Sequence, residues 1–302
     1  MTIIGNVKVV AWNPARIRQL RGLENRLGVL LGFRLNNFGD LLGPSIVQSM
    51  LAFQDTPPTP KWPIAHRRLL TVGSILHFAK DGDTVWGSGI NGKVSSTDII
   101  SSKLDIRALR GPLSAETLSQ AGHSVTDVYG DPALLLFELG YPRPVRTFKT
   151  NICLIPNIND LVEWRGHRLK MQMISPCSSL DVIIHAISET RLLVTSSLHA
   201  LIIAEMLDVP VRLVRSIHEP PLKYMDYVLG TGRTSIDWWN SVEEAVSLEL
   251  SDRHGTNPLR KWDPSRLIDA FPWDLWNIDG GIRYRDLHLN RLTRCICNRC
   301  IS

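Results

Sequence analysis

A short apolar run passes directly into two serines and a histidine between residues 194 and 205, and a helical pattern follows at once. This transition predicts a strand–helix unit whose helix begins near Leu198. The N–H groups and dipole of a helix N-terminus favour bound anions, and Ser196 and Ser197 add two hydroxyl groups. His199 can exchange a proton near neutral pH. The stretch therefore predicts an anion site with acid–base chemistry, and a histidine held there for structure alone is an equal alternative.

Short apolar runs alternate with helical patterns along the whole chain, which is typical of α/β folds. Strands are predicted at 26–34, 69–74, 83–89, 104–109, 124–129, 151–156, 171–175, 191–195 and 211–215. Helices are predicted at 44–53, 112–120, 180–188, 223–229 and 236–250, with Pro44 in the first turn of its helix. A proline-containing stretch at 141–144 predicts a boundary between an N-terminal domain, 1–145, and a C-terminal domain, 146–302.

Composition narrows the class of protein further. The chain has 302 residues, of which 44% are hydrophobic and 21% charged, so it is globular and large enough for two α/β domains. The net charge of +5 is compatible with an anionic substrate or an anionic membrane surface, but it is too diffuse to predict nucleic-acid binding. No apolar run approaches the roughly 20 residues of a spanning helix, and the first residues lack a signal-peptide pattern. A cytoplasmic location is expected, with Arg16, Arg18 and Arg21 a weak basis for peripheral membrane contact.

The five cysteines, an odd number at irregular spacing, fit a reducing compartment. Cys295, Cys297 and Cys300 lie close together near the C-terminus, with His288 as a distant fourth group. Zinc usually takes four ligands with C-x-x-C spacing, whereas this stretch has three cysteines in a C-x-C-x-x-C arrangement. Free thiols are therefore favoured over a metal site, and no metal is expected.

A glycine-rich stretch, Gly87–Gly92, follows a predicted strand and matches the G-x-G-x-x-G pattern of dinucleotide-binding folds. The residues after it make a poor crossover helix, however. A strand-end turn in which Gly87, Ser88 and Gly89 line a cleft is therefore favoured over binding of NAD.

Three other loops carry polar groups at the carboxyl ends of predicted strands, which face the ligand crevice in α/β sheets. Asp40 is a candidate base or a group that orients a substrate hydroxyl, although a loop aspartate is favoured on the residues alone. Arg107 and Arg110 are candidates for binding carboxylate or phosphate, and a solvated arginine pair is equally compatible. Asp131 precedes a proline, which makes a helix N-cap the stronger interpretation.

The same elements, in this order, resemble the polysaccharide pyruvyltransferase family. The resemblance rests on Asn37–Asp40, Gly73–Leu76, Trp86–Gly89, Arg107–Ser114, Gly130–Ala133, Thr195–Ala200 and Lys223–Tyr227, and it covers roughly residues 27–235. The last element looks most like the ketal-forming branch that decorates exopolysaccharides such as succinoglycan and xanthan.

The resemblance implies two Rossmann-like domains facing a cleft, similar to GT-B glycosyltransferases, with the acceptor on the side of the N-terminal domain. It implies phosphoenolpyruvate as the donor, a glycan acceptor that is often polyprenyl-linked, a pyruvate ketal as the product, and no further cofactor. His199 and Asp40 would be catalytic, as general acid and base. The donor would be bound by Arg107, Arg110, Ser196, Ser197 and Leu198, and the cleft would be lined by Asn37, Gly39, Gly87, Ser88, Gly89, Asp131 and Lys223.

The chain departs from the family pattern at Ser197, where many members carry an arginine that contacts the donor. Arg212, Arg215, Lys223 and Arg233 are candidates to supply the missing cation. Two other functions remain open: a GT-B-like glycosyltransferase that uses a nucleotide sugar, and a non-catalytic partner in glycan assembly. The acceptor sugar and the oligomeric state are not predicted.

Overall fold

The computed structural model of the chain describes residues 2–14, 34–53, 67–93, 103–166, 171–247, 258–278 and 281–287. These residues form two five-stranded sheets with helices between the strands, and neither sheet closes into a barrel. The mixed α/β class predicted from the alternating pattern is confirmed. Two Rossmann-like domains in a GT-B-like arrangement remain a prediction, as do the domain limits 1–145 and 146–302.

The first sheet contains strands β1 to β5 in sequence order. A two-residue turn joins β1 to β2 as an antiparallel hairpin, and the other neighbours are parallel. The strands are Thr2–Ile4, Val7–Val10, Arg67–Leu70, Thr84–Ser88 and Asp105–Leu109, and the helices that follow β2 and β5 are α1, Phe38–Leu51, and α2, Pro112–Gln120.

The second sheet is entirely parallel and has the order β7-β6-β8-β9-β10. Its strands are Thr150–Ile155, Gln172–Met173, Thr190–Thr195, Val211–Val214 and Trp238–Trp239, numbered β6 to β10. The helices α3 to α8 are Leu161–Gly166, Leu180–Ser188, Leu198–Met206, Leu222–Gly230, Val242–Ser247 and Ser265–Asp269. The chain passes from β6 to β7 on one side of it, and then crosses to β8 on the other side. The β6–β8 pair is therefore the topological switch point at which α/β sheets bind ligands.

Helix α1 begins six residues earlier than predicted, so the expectation that Pro44 opens it is wrong. Phe38, Leu42 and Ile46 recur every four residues and are all buried, which draws this segment into the helix. Pro44 lies inside α1, where it cannot donate a backbone hydrogen bond to the carbonyl of Asp40.

The predicted helix at 236–250 is only partly present. Trp238 and Trp239 instead form β10 and pair with Leu213 and Val214 of β9, and α7 follows. The predicted strand at 124–129 is reduced to a single bridge between Leu109 and Tyr129. The predicted strand at 26–34 lies outside the described residues except for its last residue.

The last described segment packs against the first sheet. Trp86 of β4 donates from its indole nitrogen to the carbonyl of Leu267 at 2.8 Å, and Trp276 donates to the carbonyl of Ile4 at 2.9 Å. Phe271 meets the Trp86 ring edge-on at 4.9 Å between centroids. This segment therefore helps to form the core beneath the first sheet.

Among the helices that the structure describes, none combines the length and apolar character needed to cross a bilayer. In the same residues, no three histidine, cysteine or acidic side chains are grouped as a metal site would require. The residues proposed for peripheral membrane contact, Arg16, Arg18 and Arg21, and those considered for a metal site, His288, Cys295, Cys297 and Cys300, lie outside the described residues.

Candidate functional site

A cavity of about 220 Å³ lies where loops from both halves of the chain meet. Loops after β2, β3 and β4 of the first sheet line one side, and loops after β6, β8 and β9 of the second sheet line the other. Six residues predicted from the sequence line it together: Asn37, Asp40, Ser197, Leu198, His199 and Lys223. The carboxyl ends of parallel strands therefore form the cavity, as expected for a ligand site in an α/β fold.

Helix α5 presents its N-terminus to this cavity. Ser197 is the N-cap, and its hydroxyl oxygen accepts a hydrogen bond from the backbone N–H of Ala200 at 3.4 Å. The N–H groups of Leu198 and His199 belong to the first turn, which has no intrahelical acceptors to offer them. Ser197 and Leu198 thus lie at the helix N-terminus and line the cavity, where the sequence predicts an anion site.

Ser196 is completely buried behind this terminus. Its hydroxyl donates to Asp160 at 2.6 Å and accepts from the backbone N–H of Asn157 at 2.9 Å. Ser196 therefore ties the end of β8 to the end of β6, and its hydroxyl is already engaged with protein groups.

The His199 side chain fills the space between α1 and the turn that contains Asp131. Gly39 makes this approach possible, because a Cβ on Gly39 would lie 2.2 Å from His199 Nδ1. The other ring nitrogen, Nε2, is 3.8 Å from Asp131 Oδ2. Burial is the main cause that lowers the pKa of His199 to about 3, helped by the charges of Lys223 and Arg110, so the free protein holds the ring neutral.

Asp40 is the second titratable group of the cavity that the sequence singled out. Asn37, the residue before α1, donates from its side-chain amide to Asp40 Oδ2 at 2.6 Å. Burial raises the pKa of Asp40 to about 6, although this hydrogen bond and the charge of Lys223 act in the opposite direction. The carboxyl group therefore titrates close to neutral pH.

Two lysines share one carboxylate at the opposite side of the cavity. Glu219 accepts from Lys93 Nζ at 2.5 Å, from Asn159 Nδ2 at 2.7 Å and from Lys223 Nζ at 3.0 Å. Burial acts to raise the pKa of Glu219, but Lys223 and Lys93 together hold it below the usual value. Burial lowers the pKa of Lys223, and Glu219 partly offsets this effect.

Sequence reasoning did not select Glu219, Lys93 or Asn159. Glu219 precedes Lys223 by four residues, a separation that pairs opposite charges when it falls within or just before a helix. Lys93 and Asn159 carry no comparable local signal, because they reach the cavity only through folding of distant loops.

The two arginines predicted to clamp the donor do not line the cavity. Arg110 is completely buried in an ion pair with Asp226, with its Nη2 2.9 Å from Asp226 Oδ2. Nη1 donates to Ser74 Oγ, and Nη2 also donates to the carbonyl of Ile90, both at 2.6 Å. Arg107 is partly exposed and donates to Asp105 at 2.6 Å. Since Ser74 does line the cavity, Arg110 supports its wall from behind.

The glycine-rich stretch after β4 packs against protein groups. A Cβ on Gly87 would lie 2.3 Å from the Pro132 ring, and one on Gly89 would lie 2.4 Å from Arg110 Cζ. Ser88 is also buried and donates to the carbonyl of Gly73 at 3.0 Å. These close contacts explain why glycine is needed without a bound dinucleotide.

Of the four cations considered as replacements for the missing arginine, Lys223 lines the cavity. Arg212 stacks over Trp239 at 5.0 Å, and Arg215 lies 4.9 Å from the Trp238 ring. Arg233 pairs with Glu205 at 2.7 Å. These three arginines are engaged within the second half of the chain.

The fold and the cavity define a class of α/β protein with a ligand site at the carboxyl ends of its parallel strands. That site combines a helix N-terminus, two lysines and two titratable side chains. A model of the polysaccharide pyruvyl transferase family matches residues 62–218, just over half of the chain, and the chain belongs to that family. Family membership supports a transferase that acts on polysaccharide. The match includes His199 and Asp131, whereas Asp40 and Lys223 fall outside it. No curated protein and no solved structure gives a significant match to the chain.

Proposed function

We propose that this chain transfers the pyruvyl group of phosphoenolpyruvate to two hydroxyl groups of a sugar, forming a cyclic ketal on an exopolysaccharide precursor or a lipid-linked oligosaccharide. The observation that carries the proposal is the convergence, in one cavity, of the α5 N-terminus, two lysines, His199 and Asp40. Such a cavity suits a small donor with a phosphate and a carboxylate, and it offers proton transfer beside the anion site.

Lys223 is the proposed replacement for the arginine that family members carry at the position of Ser197. Its ammonium group lines the same cavity as the N-terminus of α5, and Lys93 lies on the other side of Glu219. The first-turn N–H groups of α5 would bind one anionic group of phosphoenolpyruvate, and the lysines would bind the other.

The reaction requires one proton at the methylene carbon of the donor and the loss of two hydroxyl protons from the acceptor. The first addition places one hydroxyl oxygen on the central carbon of the donor while the methylene becomes methyl. Departure of the phosphate group and attack by the second hydroxyl close the ketal. One hydroxyl proton thus balances the new methyl group, and the second leaves with phosphate.

The free site favours an exchange of the two catalytic roles predicted from the sequence. His199 is neutral over the physiological range, so one ring nitrogen is free to accept a hydroxyl proton, and the negative charge of a bound donor would raise its pKa of about 3 toward the range of an effective base. Asp40, with its pKa raised to about 6, remains partly protonated near neutral pH and can deliver a proton. We therefore assign the acid to Asp40 and the base to His199, while a bound trianionic donor would raise both pKa values.

The released product distinguishes the proposal from its two rivals. Purified chain is incubated with phosphoenolpyruvate and a lipid-linked oligosaccharide fraction, and inorganic phosphate is measured. Acceptor-dependent phosphate release supports the transferase. Nucleotide release from a nucleotide sugar would instead favour a GT-B-like glycosyltransferase, and donor binding without turnover would favour a non-catalytic partner in glycan assembly.

A further inference from the structure

His199 Nε2 and Asp131 Oδ2 share an uncommon situation. Each atom is buried, and each has no hydrogen-bond partner among the residues that the structure describes. The two atoms face each other at 3.8 Å. A buried polar atom without a partner destabilises a folded protein, and two such atoms side by side satisfy each other if a single proton lies between them.

Asp131 is held firmly enough to fix the orientation of a neighbour. It is completely buried, and its other carboxyl oxygen, Oδ1, accepts from the backbone N–H of Ala133 at 3.0 Å. This contact caps the short 3-10 helix Pro132–Leu135. The free oxygen, Oδ2, therefore points at the imidazole from a fixed turn.

The buried position of Nε2 determines which ring nitrogen can act on a ligand. His199 lines the cavity while Nε2 is enclosed against Asp131, which leaves Nδ1 as the ring nitrogen available to a molecule bound there. Nδ1 lies beside Gly39, at the start of the helix that also carries Asp40. The two nitrogens of the ring thus face different partners.

We propose that Asp131 is a positioning residue that fixes His199 in its Nε2–H tautomer and so leaves the lone pair of Nδ1 facing the cavity. This inference rests on the proposed function in one respect, since it states how His199 becomes the base for an acceptor hydroxyl. The separation of 3.8 Å closes to hydrogen-bond distance as the ring shifts, as catalytic contacts do when a ligand binds.

The charged groups around the ring agree with this arrangement. Lys223 from α6 and Arg110 from the end of β5 favour a neutral imidazole, while Asp131 faces Nε2 with a carboxyl oxygen. Burial raises the pKa of Asp131 to about 6, against the opposing effects of the Ala133 N–H and the charge of Arg110, so its carboxyl group is mostly ionised at pH 7 and above. A neutral ring has one N–H, and an ionised Asp131 can only accept it. The proton of the neutral ring therefore belongs on Nε2, the nitrogen that faces Asp131.

The variant Asp131→Asn tests this role with little disturbance of the turn, because asparagine caps helices as well as aspartate does. Its amide can retain the contact to Ala133 through oxygen and present N–H groups to Nε2. The imidazole is then expected to switch to the Nδ1–H tautomer, which removes the lone pair from the cavity.

Long-range ¹H–¹⁵N NMR on histidine-labelled protein reads the tautomer directly, with His199 assigned through a His199→Gln variant. The expected result is the Nε2–H form in the wild-type protein and the Nδ1–H form in Asp131→Asn. An Nδ1–H tautomer in the wild-type protein, or the same tautomer in both proteins, would overturn the inference, and neither outcome depends on activity.

Kinetics give a second readout that a purely structural role would not produce. Asp131→Asn is expected to lower kcat by about 10²–10⁴-fold while KM for phosphoenolpyruvate stays within about twofold. Asp263→Asn is the matched control, because Asp263 also precedes a proline and caps through a residue two positions later, Ser265. An equal loss in both variants, or unchanged kcat in Asp131→Asn, would contradict the proposal. A wild-type protein that releases no phosphate would instead refute the proposed function, and the NMR result would still stand.

Discussion

At the scale of single residues, the cavity depends on charges that are held close together with little water. Lys223 and Glu219 have side chains that are 9% and 7% exposed, so their charges are weakly screened. Glu219 neutralises part of the positive charge of both lysines, and a donor anion must therefore share them with it. Donor affinity in this account reflects that competition.

Replacing Lys223 with glutamine removes the proposed donor cation. The expected result is a KM for phosphoenolpyruvate raised about 10- to 100-fold, the equivalent of one charge-assisted hydrogen bond. Lys149→Gln is the control, since Lys149 pairs with Glu189 in an exposed ion pair away from the cavity. Steady-state kinetics at varied donor concentration measure both. A KM unaltered by Lys223→Gln would show that the donor binds elsewhere.

The raised pKa of Asp40 also predicts how stability changes with pH. Burial raises this pKa from 3.8 to about 6, so the folded protein retains a proton that the unfolded chain has released. The folded state therefore loses stability as pH rises from about 4 to about 6. Asp40→Asn avoids this loss. The free energy of unfolding of Asp40→Asn, relative to that of the wild-type protein, should therefore rise by about 1–3 kcal/mol between pH 3.5 and pH 7.5.

Urea denaturation at the two pH values measures this difference. The exposed Asp237 supplies the control variant, Asp237→Asn, whose stability relative to the wild-type protein should change little over the same range. If the difference in the free energy of unfolding between Asp40→Asn and the wild-type protein is the same at both pH values, Asp40 does not have a raised pKa.

At the scale of elements, the sequence predicts best those helices whose ends carry local signals. Pro112 follows Gly111 and opens α2, and Ser179 caps α4 through the N–H of Val182, so both helices have their predicted limits. The predictions for the start of helix α1 and for strand β10 are wrong, because tertiary contacts outweigh local preference there. Burial of one face extends α1 toward its N-terminus, and pairing with β9 makes β10 a strand. Within the cavity, His199 and Asp40 could be predicted from strand-end motifs. Glu219 and Lys93 could not, because tertiary contacts bring them in.

Arg110 was predicted to bind the donor, but in the structure it holds two secondary-structure elements together. Its ion pair with Asp226 joins the end of β5 to α6, and Gly111 allows that approach, because a Cβ there would lie 1.8 Å from the carbonyl oxygen of Asp226. Lys223 lies one turn earlier on the same helix. The buried pair therefore sets where α6, and with it Lys223, meets the cavity.

Arg110→Gln leaves the buried carboxylate of Asp226 without its charge partner. The expected loss is about 3–5 kcal/mol in the free energy of unfolding, measured by urea denaturation. Arg107→Gln removes the ion pair with Asp105, in which the arginine side chain is 37% exposed. The expected loss in the free energy of unfolding is therefore less than about 1 kcal/mol. Equal losses in the two variants would contradict the structural role of Arg110. A raised donor KM in a fully stable Arg110→Gln protein would restore the role predicted from the sequence.

At the scale of the whole molecule, the chain returns to its first sheet after completing the second. Phe271 stacks on Trp276 with ring centroids 5.5 Å apart and meets Trp273 edge-on at 4.7 Å. This aromatic cluster, close to Trp86 of β4, links the last described segment to the first sheet. The sequence around these tryptophans has no clear period, and so their packing could not be predicted.

Phe271→Ala should test this link. Loss of a buried aromatic ring is expected to reduce the free energy of unfolding by about 3–5 kcal/mol, followed by tryptophan fluorescence in urea. Phe148→Ala is the control, because the Phe148 side chain is 44% exposed, and a loss below about 1 kcal/mol is expected. A small effect from Phe271→Ala would mean that the segment around Phe271 adds little to the core.

In the proposed reaction, the cavity around His199 transfers a pyruvyl group from phosphoenolpyruvate to a glycan. The most direct measurement supplies donor labelled with ¹³C at the methylene carbon, together with a lipid-linked oligosaccharide fraction, and follows the label by NMR. Pyruvyl transfer is expected to give a ketal methyl signal in the glycan and one phosphate per ketal, with the rate lowered about 10²–10⁴-fold in His199→Ala. Label that stays in the donor, or an equal rate in His199→Ala, would contradict it.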